Sequence, residues 1–487
     1  MFADAIIKAN KIDSYFIKNI MKINLDQPDI ITMYHPYRAV FPMDPRKIYS
    51  VGDQVVSEHI FAYHSRESIK DGFQPVISEV TFDHHQNQVT IHPKYPLLNS
   101  NGNLVPLESI CTTLNESFKG TQHAPYRSIF IKSECKNGKV VISLNKIPVN
   151  LRLLFTLPDF SIFDPLFLPI KVNQQVSTTG PFNIEKIEPQ SVWLKRNPYY
   201  PKELTANQID HAVIHSYRSS EINKLVQVAK PSSHNLIYFD GFTTSEKETE
   251  ILKEKGYRLK FSPSEWLAYL SFNSKVTLSD RVTIGKKIDA QRNNFMRFAS
   301  LGQQAFSIAP SDRPFGLDAK EYNESSRQIK AGTDKLSKPY KIGVISTDFN
   351  IPLYQFVIKS MLKEFPELTL ELVPPEKFDQ LENLIDIFID AIGITPADPL
   401  NHLSFLMNFD SRFSAVLTEE KITTIAIQEN AEEFIKEVKN IEYQILKSRL
   451  IVPLAHFPGI VAEAPRFEKD ESLSWSWGTQ AWTYRVR

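Results

Sequence analysis

The stretch "STTGPFNIEKIEPQSVWLKRNPYY", residues 177–200, joins a Gly-Pro stop, a polar and apolar alternation and an Asn-Pro stop in one short span. Gly180 supplies backbone freedom that other residues lack, and Pro181 fixes φ. Glu185, Ile187, Val192 and Leu194 alternate as strands require, up to the second stop at Asn197-Pro198. A hairpin scaffold accounts for these residues without any ligand.

Downstream, from Lys341, the periodicity switches between strand and helix. "KIGVIS", "LTLELV", "IDIFIDAIG" and "RLIVPLAH" read as strands. "IPLYQFVIKSMLKEF", with Pro352 near its start, "PEKFDQLEN" and "AEEFIKEVKNIEYQILKS" read as helices between them. Such alternation implies right-handed crossovers and a largely parallel sheet covered on both faces, so this part is α/β. Upstream, "VTIHP", "GKVVISL" and "SVWLKRN" are short strands separated by turns such as Asn101-Gly102 and Asn137-Gly138, which predicts mixed or antiparallel pairing. A helix starts after Pro106 at "LESICTTLNESF", and the polar run 322–340 reads as a surface connection.

A chain of 487 residues, 42% of them hydrophobic, exceeds what one core serves, so several structural units are expected. Its 56 basic and 56 acidic residues balance, and no block of one sign provides the field that nucleic acid or an anionic membrane requires. "IPVNLRLLFTLPDFSIFDPLFLPIKV" is broken by Arg152, Asp159, Asp164 and prolines, so it does not read as a spanning helix. The amino terminus shows no basic region followed by an unbroken apolar core, so no leader is visible in it. Cys111 and Cys135 match no zinc or redox spacing; a disulfide and two buried thiols both suit them.

Chemistry-bearing motifs are sparse. His84-His85 with His92, and His211 with His215, lack a carboxylate or thiolate at metal spacing and read as solvated or hydrogen-bonded histidines. There is no G-x-S-x-G, P-loop, G-x-G-x-x-G or H-E-x-x-H, so neither catalysis nor a cofactor or metal is expected. Trp475, Trp477 and Trp482 read as a terminal strand against a core, and Asp398 as a helix cap followed by Pro399.

Residues 177–200 resemble the G-T-G-P-[YF]-x-[IL] … [IVL]-x-L-x-R-N-P-x-Y signature of the family 5 extracellular solute-binding proteins of oligopeptide, dipeptide and nickel type. Further segments resemble that family in the same order. These include Asp44-Pro45 in "FPMDPRKIYSVGDQ", the run "AYLSFNSKVTLSDRVTIGKKIDAQRNNF" with Phe272, Asn273, Arg281-Val282 and Ile288-Asp289, and "RLIVPLAHFPGIV". The resemblance covers roughly residues 35–465.

It implies an α/β, two-lobed, periplasmic-binding-protein-like fold of type II with three domains, mixed sheets and a Rossmann-like second lobe. By resemblance, residues 1–46, 166–262 and 464–487 form domain I, 47–165 an inserted domain II, and 263–463 domain III. The implied function is capture of a small peptide-like or other solute in an inter-lobe cleft and delivery to an ABC-type permease. The protein would be a periplasmic or cell-surface monomer and no enzyme. The implied ligand-binding residues are Val40, Phe41, Tyr269, Asn273, Phe306, Ile392 and Thr395. Ile392 stands where peptide binders carry a tryptophan and Thr395 where they hold a ligand's ammonium with aspartate, which argues against free-amino peptides. Arg313 beside Asp312 reads as a carboxylate or phosphate clamp, or as a surface arginine. The alternative function is a ligand sensor or interaction protein outside transport; no basic recognition helix accompanies it.

Overall fold

The structure, a computed structural model, describes residues 30–36, 38–39, 41–47, 51–68, 72–120, 124–163, 168–171, 177–206, 209–217, 221–311, 313–327, 335–346, 348–374, 377, 380–393, 400, 403, 416–470 and 480–486. Its main sheet uses β1 (Ile30–His35), β6 (Phe182–Glu188), β7 (Ser191–Arg196), β8 (His211–Ser216), β9 (Leu236–Asp240), β10 (Arg258–Phe272), β11 (Tyr340–Ile345), β12 (Leu368–Val373), β13 (Ile387–Gly393) and β14 (Ile451–Glu463). They lie in the order β12-β11-β13-β10-β14-β9-β1-β8-β7-β6. A second, antiparallel sheet takes β2 (Ser78–Asp83), β3 (Gln88–Pro93), β4 (Phe130–Lys136) and β5 (Lys139–Leu144) in the order β2-β3-β5-β4.

Two long strands carry the main sheet from one lobe to the other. β10 pairs with β14 through Arg258↔Glu463 to Phe261↔Ile460, and again through Trp266↔Phe457 to Ser271↔Ile451, with register shifts between Phe261 and Trp266. The break coincides with Pro263 and Pro458, which interrupt a ladder because proline has no N–H to donate. Ser262 bridges it: its Oγ accepts from Gly459 N at 2.8 Å.

The first lobe centres on β9, β1 and β8, all parallel, with the β6–β7 hairpin at the edge. The second centres on parallel β12, β11 and β13, the arrangement that strand and helix alternation predicted after Lys341. Helices form where the sequence placed them: α2 (Leu107–Lys119) after Pro106, α5 (Pro352–Glu364) with proline in its first turn, and α7 (Ala431–Lys447) capped by Asn430. α1 (Val51–Ile60), α3 (Leu278–Ala290), α4 (Ala319–Arg327) and α6 (Glu419–Ala426) complete the helices used below. Residues 322–327 therefore are not a surface connection but the second half of α4; Tyr322 and Ser325, one turn apart, are buried.

The stretch at 177–200 is a clasp. β6 and β7 form the expected hairpin. Asn197 Nδ2 donates to Gly180 O at 2.9 Å, tying the second stop to the first. Gly180 N donates to Ile60 O, and a Cβ on Gly180 would lie 2.5 Å from the Ile60 carbonyl carbon. Gly180 is not among the glycines with positive φ, so glycine is required by close approach to the end of α1 rather than by a left-handed backbone. Cys111 on α2 and Cys135 on β4 form a disulfide, with Cα atoms 6.4 Å apart. Trp482 is buried with its ring 4.8 Å from that of His59, edge to face; Trp475, Trp477 and Asp398 lie outside the described residues.

Candidate functional site

Strand direction locates the site. In the first lobe β9 ends at Asp240, which pairs with Gly459 beside the break in the crossing strands. In the second, β13 ends at Gly393, which pairs with Trp266 on the other side of that break. The carboxyl ends of both parallel sets thus meet at the crossing, where open α/β sheets hold their ligands.

The second-lobe wall is apolar. Side chains alternate along β10: Trp266, Ala268, Leu270 and Phe272 enter the core beneath, while Leu267 and Tyr269 join another buried cluster. That cluster contains Ile392, Ala305, Ile308 and Ala309 from the same lobe, and Ala62, Leu151 and Ile162 from the unit carrying the second sheet. Contact between the units extends to Val149 N, which donates to Gln428 O at 2.9 Å.

Buried polar and charged groups hold this wall in place. Glu442 on α7 accepts from Ser307 Oγ and, at 2.7 Å, from Ala309 N. Burial pushes its carboxyl up to about 8, so it is protonated at neutral pH. Arg292 donates to Ala305 O and Pro453 O at 2.6 and 2.9 Å. Tyr322 lies between two guanidiniums, 4.9 Å from that of Arg292 and 5.2 Å from that of Arg449. Asp289 faces both, at 2.8 Å from Arg292 and 3.3 Å from Arg449.

The first-lobe edge differs. The loop after β1 carries Arg38 and Phe41, with a cis peptide bond between Phe41 and Pro42. With the β6–β7 turn and the end of β8 it lines a pocket of about 400 Å³ that includes Arg38, Phe41, Glu188, Gln190, Ser191 and Ser216. Ser216 N donates to Gln190 O at 2.8 Å, locking the turn to β8. Glu188 is engaged by an ion pair with Lys186, by Ser191 Oγ at 2.8 Å and by Trp193 Nε1 at 3.1 Å; these hold it down to about 2.

The residues singled out by resemblance do not all come together. Leu267 pairs with Ile392 and Tyr269 with Asp390, so Tyr269 and Ile392 are diagonal neighbours on one face. Asn273 lies at the opposite end of β13, where its Oδ1 accepts from Lys275 N at 3.1 Å and Ser274 Oγ at 3.2 Å in a turn. Phe306 stands 5.2 Å from the Arg292 guanidinium, packed against the Leu317, Tyr322 and Leu446 cluster. Arg313 N closes a turn onto Pro310 O. Phe41 is in the first-lobe pocket, and Val40, Thr395 and Asp312 lie outside the described residues. Sequence reading missed Arg38, the one cation in "MYHPYRAVFP", and the Arg292, Tyr322, Arg449 and Asp289 cluster, whose members come from three separate segments of the chain. Among the described residues no three metal-ligating side chains gather.

The fold is two-lobed and mixed α/β, the architecture of solved solute-binding proteins. The Escherichia coli murein tripeptide binding protein MppA is 12% identical, with TM-score 0.75 over 95% of this chain and 99% of its own. A dipeptide binding protein from a Pseudoalteromonas species, solved with Met-Leu, is 13% identical, with TM-score 0.75 over 94% of this chain and 100% of its own. NikA from Staphylococcus aureus, solved with Ni(L-His)2, is 14% identical, with TM-score 0.74 over 94% of this chain and 100% of its own. No protein-family profile and no curated protein matches the sequence.

Proposed function

We propose that this chain is a solute-binding protein of the family 5 type. It captures a small ligand between its lobes and delivers it to an ABC importer, performing no chemistry itself. The observation that carries this reading is the convergence of both sets of strand carboxyl ends on one crossing, at a break built from Pro263, Pro458 and Gly459 where the lobes can rotate. The domains divide at 1–46, 166–262 and 464–487; 47–165; and 263–463. Phe41, Tyr269 and Ile392 contact the ligand, together with Val40 and Thr395, whereas Asn273 and Phe306 support the turn and the wall.

The Cys111–Cys135 disulfide supports a working place outside the cytoplasm, where such bonds persist. No helix among the described residues is long and apolar enough to cross a membrane. The test is to purify the protein from its native host, extract and identify the bound solute, and compare X-ray scattering with and without it. A co-purifying small molecule and compaction on its return are expected; an empty protein that no extract compacts sinks the reading.

A further inference from the structure

The first-lobe pocket has a chemistry of its own. Arg38 is exposed and makes no hydrogen bond or ion pair with the described residues, while the pocket's carboxylate, Glu188, is already matched by Lys186, Ser191 and Trp193. The lining therefore presents one uncommitted positive charge. The same lining includes Phe41, Ser216 and the apolar Ile187, Pro189 and Val192. A volume of about 400 Å³ lies within the roughly 300–1,000 Å³ of small-molecule sites.

The pocket also borders the second lobe. A Cβ on Gly52 would lie 2.5 Å from the Arg38 carbonyl carbon, so the Arg38 segment rests on the start of α1. Val51, next to Gly52, packs against the buried cores of both lobes. A ligand seated at Arg38 thus sits where the lobes meet.

We infer that this pocket binds the carboxylate of a small organic acid with an apolar body, Arg38 pairing with the carboxylate and Phe41 covering the body. Guanidinium matches carboxylate with two parallel N–H donors, an arrangement that an ammonium cannot reproduce. The inference rests on the solute-binding reading for its ligand's purpose, but its chemistry is tested separately.

The probe is N-acetyl-L-phenylalanine, which has a carboxylate and no amine; its amide is the uncharged control, and titration calorimetry on the full chain is the readout. The acid is expected to bind about ten- to a hundredfold tighter than the amide, the range for one charge-assisted hydrogen-bonded contact. Arg38→Gln removes that preference with an unchanged thermal midpoint, Arg38→Lys keeps part of it, and inorganic phosphate competes weakly. Equal binding of acid and amide, no binding of the acid, or a preference that survives Arg38→Gln overturns the inference. A protein that closes on its extracted solute yet ignores Arg38 keeps the transport reading and loses this pocket. One that prefers the acid through Arg38 without ever closing keeps the pocket and loses the transport reading.

Discussion

The two edges that meet at the crossing strands use charge in opposite ways. In the second lobe, charged side chains are buried behind an apolar wall, with Arg449 1% and Arg292 7% exposed, and each is engaged by neighbours. In the first lobe the cation at the edge, Arg38, is itself exposed and has no ion pair among the described residues. Charge that builds a wall is desolvated and must be matched, whereas charge that meets a ligand is left solvated until the ligand arrives.

The sharpest break in that comparison is Asp289→Ala. It leaves the Arg292 and Arg449 guanidiniums facing Tyr322 without this carboxylate, and urea unfolding should show a loss of about 3–5 kcal/mol. A loss below about 1 kcal/mol would mean that the buried charges do not hold the wall.

Acidity and alkalinity should act on different lobes. Burial lowers His59, His215 and His234 to about 4 and His35 to about 3. Each takes up a proton in the unfolded chain near 6.5 but resists it when folded, so this stability is present above pH 6.5 and falls as pH drops toward 4. Each such depression is worth on the order of 3 kcal/mol. Glu442, raised to about 8, has the reverse sign: its contribution is full below about pH 4.5 and is lost as pH rises toward 8. Glu58 on α1, raised to about 7 by burial, follows Glu442 in sign and offsets part of the histidine effect. Hydrogen exchange should therefore show β1, β8 and β9 losing protection first at pH 5, and residues 305–309 losing it first at pH 8.5. Glu442→Gln should flatten the alkaline slope. The same order of opening at both pH values would refute the division.

Smaller effects come from close approach. Gly180→Ala drives a Cβ to 2.5 Å from the Ile60 carbonyl carbon, and should cost about 1–3 kcal/mol by chemical denaturation. Gly52→Ala, equally tight against the Arg38 carbonyl carbon, should cost a similar amount and also weaken N-acetyl-L-phenylalanine binding. Smallest of all, Arg38→Gln should leave stability within about 0.5 kcal/mol, as for an exposed side chain. A larger loss would place Arg38 in the architecture rather than at a ligand.

Much of the fold was legible because it is local. The β6–β7 alternation, proline in the first turn of α5 and the Asn430 cap of α7 are each written in adjacent residues. Residues 322–327 were not legible as helix, because only their burial against Arg292 and Arg449 distinguishes Tyr322 from a polar connection. Asn273 shows the same limit within the site. It is one residue beyond β10, but strand direction carries it to the end of β13 away from Gly393.

The sequence by itself determined most element types, the α/β alternation after Lys341 and the β6–β7 hairpin, since propensity, turn chemistry and periodicity act over a few residues. It also held the resemblance that anticipated two lobes. Tertiary structure alone decided that Gly180 serves a close approach to Ile60, that Tyr269 shares a face with Ile392, and that Arg38 has no ion pair among the described residues. Those outcomes depend on register and burial between segments more than a hundred residues apart, and neither is encoded in any local pattern.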